Sequence, residues 1–151
     1  MPGPTLSVVM PNYNHAHYLP RSIEAIANQT RPPDEFLILD DCSTDNSLEV
    51  IDSYLPRYSF LRLIRGEQNV GVNTANRRLF AQASGDYIHA AAADDDRFPR
   101  FFELAMQMVE AHPRAGLVFG KIVVKNEEKE VIGGVDVPRW TEPLYADPAR
   151  L

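Results

Sequence analysis

Three polar clusters interrupt apolar runs in this chain: Pro11-Asn12-Tyr13, Asp40-Asp41 and Asp94-Asp95-Asp96. Carboxylates crowded at one edge repel one another, which destabilises a fold unless a cation or a donor-rich ligand sits there. Mg²⁺ and Mn²⁺ take oxygen ligands and are often held by one or two carboxylates plus substrate phosphates. An acidic pair facing a nucleotide diphosphate through such an ion would use these residues. The alternative is that the aspartates are ordinary turn residues and helix caps, where Asp is common. The residue types alone leave both readings open. His15, His17, His89 and His112 show no metal-ligand spacing. His15 and His17 fall on the stretch before the first helix, where a solvated loop role is the preferred reading. No Ser-His-Asp order, phosphate-binding G-x-x-x-x-G-K-[ST] or G-x-G-x-x-G after the first strand is present, which disfavours a dinucleotide fold.

The elements that must position these residues read from periodicity. LSVVM, Leu6 to Met10, is a short apolar run stopped by Pro11 and Asn12, as expected of a buried strand. Tyr18 to Gln29 carries Leu19, Ile23 and Ile26 on one helical face, with Pro20 tolerable in the first turn. FLIL, Phe36 to Leu39, reads as a second strand ending at Asp40-Asp41, and Ser43, Thr44 and Asp45 offer helix N-caps before the Leu48, Ile51, Leu55 stripe. Phe60 to Ile64 reads as a third strand, Ala75, Leu79 and Ala83 mark a helix, and Tyr87 to Ala91 is a fourth strand running into the third acidic cluster. Pro99 opens a helix with Phe102, Ala105 and Val109 on one side, and Leu117 to Val124 reads as a fifth strand. Lys125 to Glu130 and Gly133-Gly134 read as turns, and Val135 to Leu151 receives no assignment.

Strand and helix alternate about four times, which predicts an α/β fold: a mostly parallel sheet with helices on both faces. Strands buried on both faces read as continuous apolar runs, as LSVVM and FLIL do. Ligands of such sheets sit beyond the C-terminal strand ends, which is where the polar clusters fall.

The 151 residues, 44% apolar and 24% charged, suit one soluble domain. A net charge of −6 argues against a nucleic-acid partner, which needs a basic face. The lone Cys42 fits a reducing compartment, and Met1 to Thr5 lacks the character of a signal peptide, so a cytoplasmic location is expected. No apolar stretch approaches the length of a membrane span.

In order and spacing, SVVMPNYNHAHYLPRSIEAIANQT, PPDEFLILDDCSTDNSLEVI, NVGVNTANRRLFAQASGDYI and the Asp94-Asp95 pair followed by Pro99 resemble a family 2 glycosyltransferase of the GT-A fold. The resemblance runs from about Leu6 to about Gly120. It implies an N-terminal α/β half, Rossmann-like, that binds a nucleotide-sugar with a divalent metal, Mn²⁺ or Mg²⁺. On this reading residues 1–124 are the nucleotide-sugar-binding domain, and residues 125–151 are a hairpin or tail that begins a missing acceptor-binding part. Pro11, Asn12 and Tyr13 match the loop that borders base and ribose, and Tyr13 could stack against the base. Asp41 matches the aspartate that hydrogen-bonds the base, and Asp40 its neighbour. Cys42 stands where the family has glycine; a side chain is tolerable there unless the backbone needs positive φ, so Cys42 is read as structural. Asn69 and Gly71 match the N-x-G turn near ribose and diphosphate. The family continues A-R-N, whereas this chain has Ala75-Asn76-Arg77, with the basic residue one position, about 100°, further round the helix. Arg77 or Arg78 is thus the candidate phosphate contact. In the metal motif Ala92 replaces the first acid, Asp94 holds the second position, expected to touch the metal, and Asp95 follows.

The expected function is inverting transfer of a sugar from a nucleotide-diphosphate donor, with a UDP-sugar favoured, to a hydroxyl of an acceptor saccharide or lipid-linked saccharide. An acidic base would deprotonate the acceptor, but the catalytic residue is not identified, because nothing after Gly120 matches it. The chain is therefore expected to be a fragment of a longer enzyme. A second reading is a non-catalytic nucleotide- or sugar-binding module on the same fold. A phosphoacceptor signalling domain is a third, weakened by Pro11-Asn12 where acids would be wanted.

Overall fold

The first apolar run forms strand β1, Leu6–Asn12, whose residues are buried except Pro11, which is half-buried. It extends two residues past the LSVVM run, so Pro11 and Asn12 finish the strand. Glu35–Asp40 forms β2, Leu61–Arg65 β3 and Tyr87–Ala90 β4. These strands make a parallel sheet in the order β3-β2-β1-β4. Val8 pairs with Phe36 and with His89, and Asn12 pairs with Asp40. The chain thus winds outward from β1 to β3 and then crosses back to β4. The strand order reverses between β1 and β4, the kind of place where open α/β sheets bind ligands.

Helix α1 is Leu19–Ala27, α2 is Ser47–Tyr54, extended by a 3₁₀ turn at Leu55–Arg57, and α3 is Val72–Gln82. Helix α4, Phe101–Ala111, follows β4. Right-handed crossovers put α1 and α2 on one face and α3 on the other, because the winding direction reverses after β3. On the α3 face Val9, Leu37 and Leu39 pack with Ala75 and Leu79. The alternate residues Val8, Met10, Phe36 and Ile38 point to the opposite face and are fully buried. A sheet apolar on both sides holds its strand ends firmly, and the polar loops project from that edge.

The computed structural model describes residues 3–120, 122–126 and 130–135. The chain forms two compact units, residues 1–103 and 104–151. In the second, Leu117 to Gly120 is irregular, and the strand is instead β5, Ile122–Lys125. It pairs antiparallel with β6, Val131–Val135, in a sheet of its own. The expected fifth strand is thus half of a two-stranded ribbon, and Gly133-Gly134 lie within β6 instead of making a turn. A Cβ on Gly134 would meet the carbonyl oxygen of Ile122 at 2.6 Å, so glycine here serves close backbone approach. Of the Lys125 to Glu130 turn, Asn126 and Glu130 are hydrogen-bonded to each other and 127–129 lie outside the described residues, as does the tail from 136 onward.

Candidate functional site

Asn12 and Asp40, the last residues of β1 and β2, are both buried. Asn12 Nδ2 donates to Asp40 Oδ2 at 2.8 Å. Ser43 completes this knot, its N–H donating to Asp40 Oδ1 at 2.9 Å and its hydroxyl to Asp40 Oδ2 at 2.6 Å. A buried carboxylate that accepts three hydrogen bonds is compensated for lost hydration. Asn12 Oδ1 is buried and has no hydrogen-bond partner among the described residues.

Asp41 points elsewhere. Its carboxylate accepts the backbone N–H of Val70 at 3.0 Å and of Gly71 at 2.8 Å, while its own N–H donates to the Asn12 carbonyl at 2.8 Å. Asn69 Oδ1 also accepts the Gly71 N–H, at 3.0 Å. Gly71 has φ +80° and stands at the N-cap of α3, a conformation that glycine adopts without strain. Pro11, Asn12, Asp40, Asp41, Asn69 and Gly71 are thereby assembled at one strand-end cluster, with half-exposed Tyr13 on the loop that leaves it. Gly66 sits against the cluster: its N–H donates to the Asp40 carbonyl at 2.7 Å, and a Cβ would meet that oxygen at 2.8 Å.

The β1–α1 and β2–α2 loops are laced together. Asn14, at φ 56°, gives its N–H to Ser43 Oγ and accepts the Thr44 N–H at 2.8 Å. Asp45 accepts the N–H groups of Ala16 at 3.0 Å and Ser47 at 2.9 Å. Burial is the largest single influence on Asp45 and raises its pKa, but the hydrogen bonds from Ser47 and Ala16 together outweigh it and hold the carboxyl below its ordinary value. Of the three offered caps only Asp45 serves the start of α2; Ser43 and Thr44 serve the site loops instead. Cys42 has φ 66°, the left-handed region, so the condition under which a side chain is unfavourable at this glycine position is met. Its thiol is exposed.

Arg77 is exposed on α3, about 200° round from the sheet-facing Ala75. Arg78 instead lines a recess of about 280 Å³ floored by Leu39 and Ile64, with Glu67, Gln68 and Gln82 at its sides.

The loop after β4 is held at several points. Ser22 Oγ donates to the Ala92 carbonyl at 3.3 Å, Arg21 pairs with Asp96, and Gln29 Nε2 donates to the Phe98 carbonyl at 2.8 Å. Gln29 Oε1 also accepts the Phe102 N–H at 3.1 Å, anchoring the start of α4. Arg97 Nε donates to His89 Nε2 at 2.8 Å, and Nη1 donates to the Asp96 carbonyl at 3.0 Å. Burial, with the adjacent Arg97 charge, pushes His89 down to about 4, so it is neutral and its Nε2 lone pair is available. Its ring meets Phe101 and Phe102 edge-on. Asp95 lies 3.9 Å from Arg97 Nη1. Asp94 is exposed and makes no hydrogen bond or ion pair with the described residues. Ser43, Asn14, His89 and Arg97 were not singled out as site residues; Ser43 and Asn14 flank the matched motifs and were the most accessible to sequence reasoning.

Among the described residues no three His, Cys, Asp or Glu side chains make a ready metal cage. Asp94 offers one exposed carboxylate, an oxygen donor of the type a hard cation takes when phosphate and water complete its shell. No helix among the described residues is long and apolar enough to cross a membrane.

Residues 7–147 match the family model described as Glycosyl transferase family 2. EpsE of Bacillus subtilis is 34% identical over 142 residues, covering 93% of this chain and 51% of that protein. The protein named glycosyltransferase GlyG, of Streptococcus pneumoniae, is 33% identical over 105 residues, covering 70% of this chain and 35% of that one. The chain spans about half the length of EpsE and less of GlyG. Crystal structures of S. aureus TarS 1-349 in complex with UDP and with UDP-GlcNAc each match with a TM-score of 0.69 at 25% identity. They cover 89% of this chain, and 38% and 37% of the TarS chains respectively.

Proposed function

The chain belongs to glycosyl transferase family 2, and from that premise we propose that it is the nucleotide-sugar-binding part of an inverting glycosyltransferase whose donor is a UDP-sugar. The observation that carries this reading is the cluster at the ends of β1 and β2, where Asp41 is fixed against the Val70-Gly71 turn beside the buried Asn12–Asp40 pair. The UDP and UDP-GlcNAc complexes of TarS support the choice of nucleotide.

The resemblance suggests each role, and the geometry leaves the groups it needs available. Asp41 has carboxylate lone pairs left beyond the two backbone donors and is the acceptor for a base N–H. Tyr13, exposed beside it, supplies a stacking face. Asp40 and Asn12 are committed to each other and to Ser43, so they set the loop shape and leave the ligand contact to their neighbours, Pro11 among them. Gly71 and Asn69 form the turn that borders ribose and diphosphate, and Arg77 or Arg78 supplies positive charge near it. Asp94, with Asp95 beside it, would hold Mn²⁺ or Mg²⁺ together with diphosphate oxygens. When bound, that ion supplies charge neutralisation for the departing diphosphate. Residues 1–124 form the donor-binding domain on this reading, and 125–151 begin the part that faces the acceptor, a saccharide or lipid-linked saccharide. The base that deprotonates the acceptor hydroxyl would belong to that acceptor part, and the lone thiol of Cys42 supports a reducing, cytoplasmic placement.

Calorimetric titration of a panel of nucleotide-sugars, with and without Mn²⁺, tests the proposal. Preferential binding of UDP and one UDP-sugar, tightened by the ion, is the expected result. Equal indifference to every nucleotide would sink it.

A further inference from the structure

The three acids after β4 are followed by a cationic side chain that turns away from solvent. Arg97 retains only 12% of its side-chain exposure although three carboxylates precede it in sequence. A guanidinium that merely balanced Asp94, Asp95 and Asp96 would stay in water, where such pairs are easily formed and contribute little. Arg97 instead turns inward. Its Nε donates to His89 Nε2 on β4 at 2.8 Å, and its Nη1 donates to the main-chain carbonyl of Asp96 at 3.0 Å. The fork therefore ties a strand side chain to the loop backbone, a two-direction bond that the planar guanidinium makes and an ammonium reproduces poorly. His89 is itself fixed by Phe101 and Phe102, centroids 5.4 and 5.2 Å away.

We propose that Arg97, anchored on His89, is a positioning residue that holds the Asp94–Asp96 backbone so that the Asp94 carboxylate stays turned outward for a cation and diphosphate. The other loop acids are engaged: Asp96 pairs with Arg21 on α1, and Asp95 faces Arg97. Among the described residues, Asp94 alone of these three acids has no partner. With Ala92 in place of an acid, the site leans on this one carboxylate, so its direction matters more than in a site with two acids. Outer-shell groups of this kind typically change metal affinity by about 10- to 100-fold when removed.

This inference rests on the metal role proposed for Asp94, and the experiment separates the two. In the full-length protein, UDP affinity is measured by calorimetry with and without Mn²⁺ for wild type, Asp94→Asn, Arg97→Met, His89→Leu and His89→Gln. Melting temperatures are measured alongside. Arg97→Met and His89→Leu are expected to keep the metal-free UDP affinity and to lose about tenfold or more of the Mn²⁺ enhancement. His89→Gln, which keeps an acceptor for Arg97 Nε, is expected to retain most of it. Arg97→Lys, measured alongside, keeps the charge but not the two-direction fork; it covers the case in which the harsher substitutions fail to fold and is expected to lose the enhancement as they do. If Asp94→Asn loses the enhancement but Arg97→Met and His89→Leu both keep it in full, the positioning role is wrong while the metal reading stands. If metal-free and metal-bound affinities fall together, Arg97 is merely structural. If wild type shows no enhancement, both readings fall.

Discussion

The Oδ2 atom of Asp41 accepts the backbone N–H of Gly71 at 2.8 Å, across 30 residues of sequence. The same carboxylate accepts Val70 N–H, so one side chain at the end of β2 fixes the turn that starts α3. Asp41→Ala leaves the Val70 N–H without its partner and the Gly71 N–H with Asn69 Oδ1 alone. It is expected to lower folding stability by about 1–3 kcal/mol and UDP affinity by a similar amount. Denaturant unfolding and calorimetry on the same variant read the two effects. Unchanged UDP affinity would refute the base contact, and unchanged stability would show that water replaces the carboxylate at the turn.

Cys42 carries a side chain at φ 66° between two site residues. Left-handed backbone costs about 1–2 kcal/mol for a residue with a Cβ, and more for a β-branched one. Cys42→Gly trades that strain against unfolded-chain entropy of roughly 0.4–1 kcal/mol, so stability should stay level or rise slightly. Cys42→Val should lose about 1–2 kcal/mol. Thermal melts of the pair decide the matter: equal melting temperatures would mean that the loop relaxes to negative φ in solution.

His89 gives a pH dependence of defined sign. Its pKa in the folded protein is about 4, against 6.5 ordinarily. The unfolded chain therefore binds a proton that the folded one refuses between these values. The folded state is favoured in full above pH 6.5 and loses ground as pH falls toward 4, by up to about 3 kcal/mol. His89→Gln removes this titration. Between pH 7 and pH 4.5, wild type should lose roughly 2–3 kcal/mol more than the variant. Parallel stability curves for the two proteins would show that His89 titrates normally.

The strands were legible because a sheet covered on both faces leaves uninterrupted apolar runs, and LSVVM and FLIL can do little else. The placing of polar clusters at one edge followed from the alternation of strand and helix. The wiring within the edge was not legible. Asp40 and Asp41 are adjacent, alike and both buried, yet one bonds Asn12 and Ser43 and the other Val70 and Gly71. Nothing local distinguishes them, since only the folded loops supply their partners. The link from His89 to Arg97 joins a strand to a loop through a side-chain pair that has no sequence signature. The run Leu117 to Val124 looked like another core strand because apolar content does not name a pairing partner. Its later half pairs with a glycine-containing strand instead.

Asp94 is where the sequence departure and the geometry meet. With Ala92 unable to ligate, a single carboxylate faces a hard cation that water holds strongly, so metal binding to the protein alone should be weak. Two diphosphate oxygens change the ligand count, and affinity should then appear only with nucleotide present. Mn²⁺ titrated alone is expected to give little heat, whereas UDP titrated at saturating Mn²⁺ should bind more tightly than UDP without it. Asp94→Asn keeps the size and one acceptor of the side chain but removes the charge, so it should lose most of the enhancement while metal-free UDP affinity persists through Asp41. Asp95→Asn should lose less, because Asp95 already faces the guanidinium of Arg97. Equal enhancement in wild type and Asp94→Asn would place the cation on other ligands. No enhancement in wild type would mean that the missing acid at Ala92 has removed the metal from this domain, leaving nucleotide recognition to the β1 and β2 strand ends.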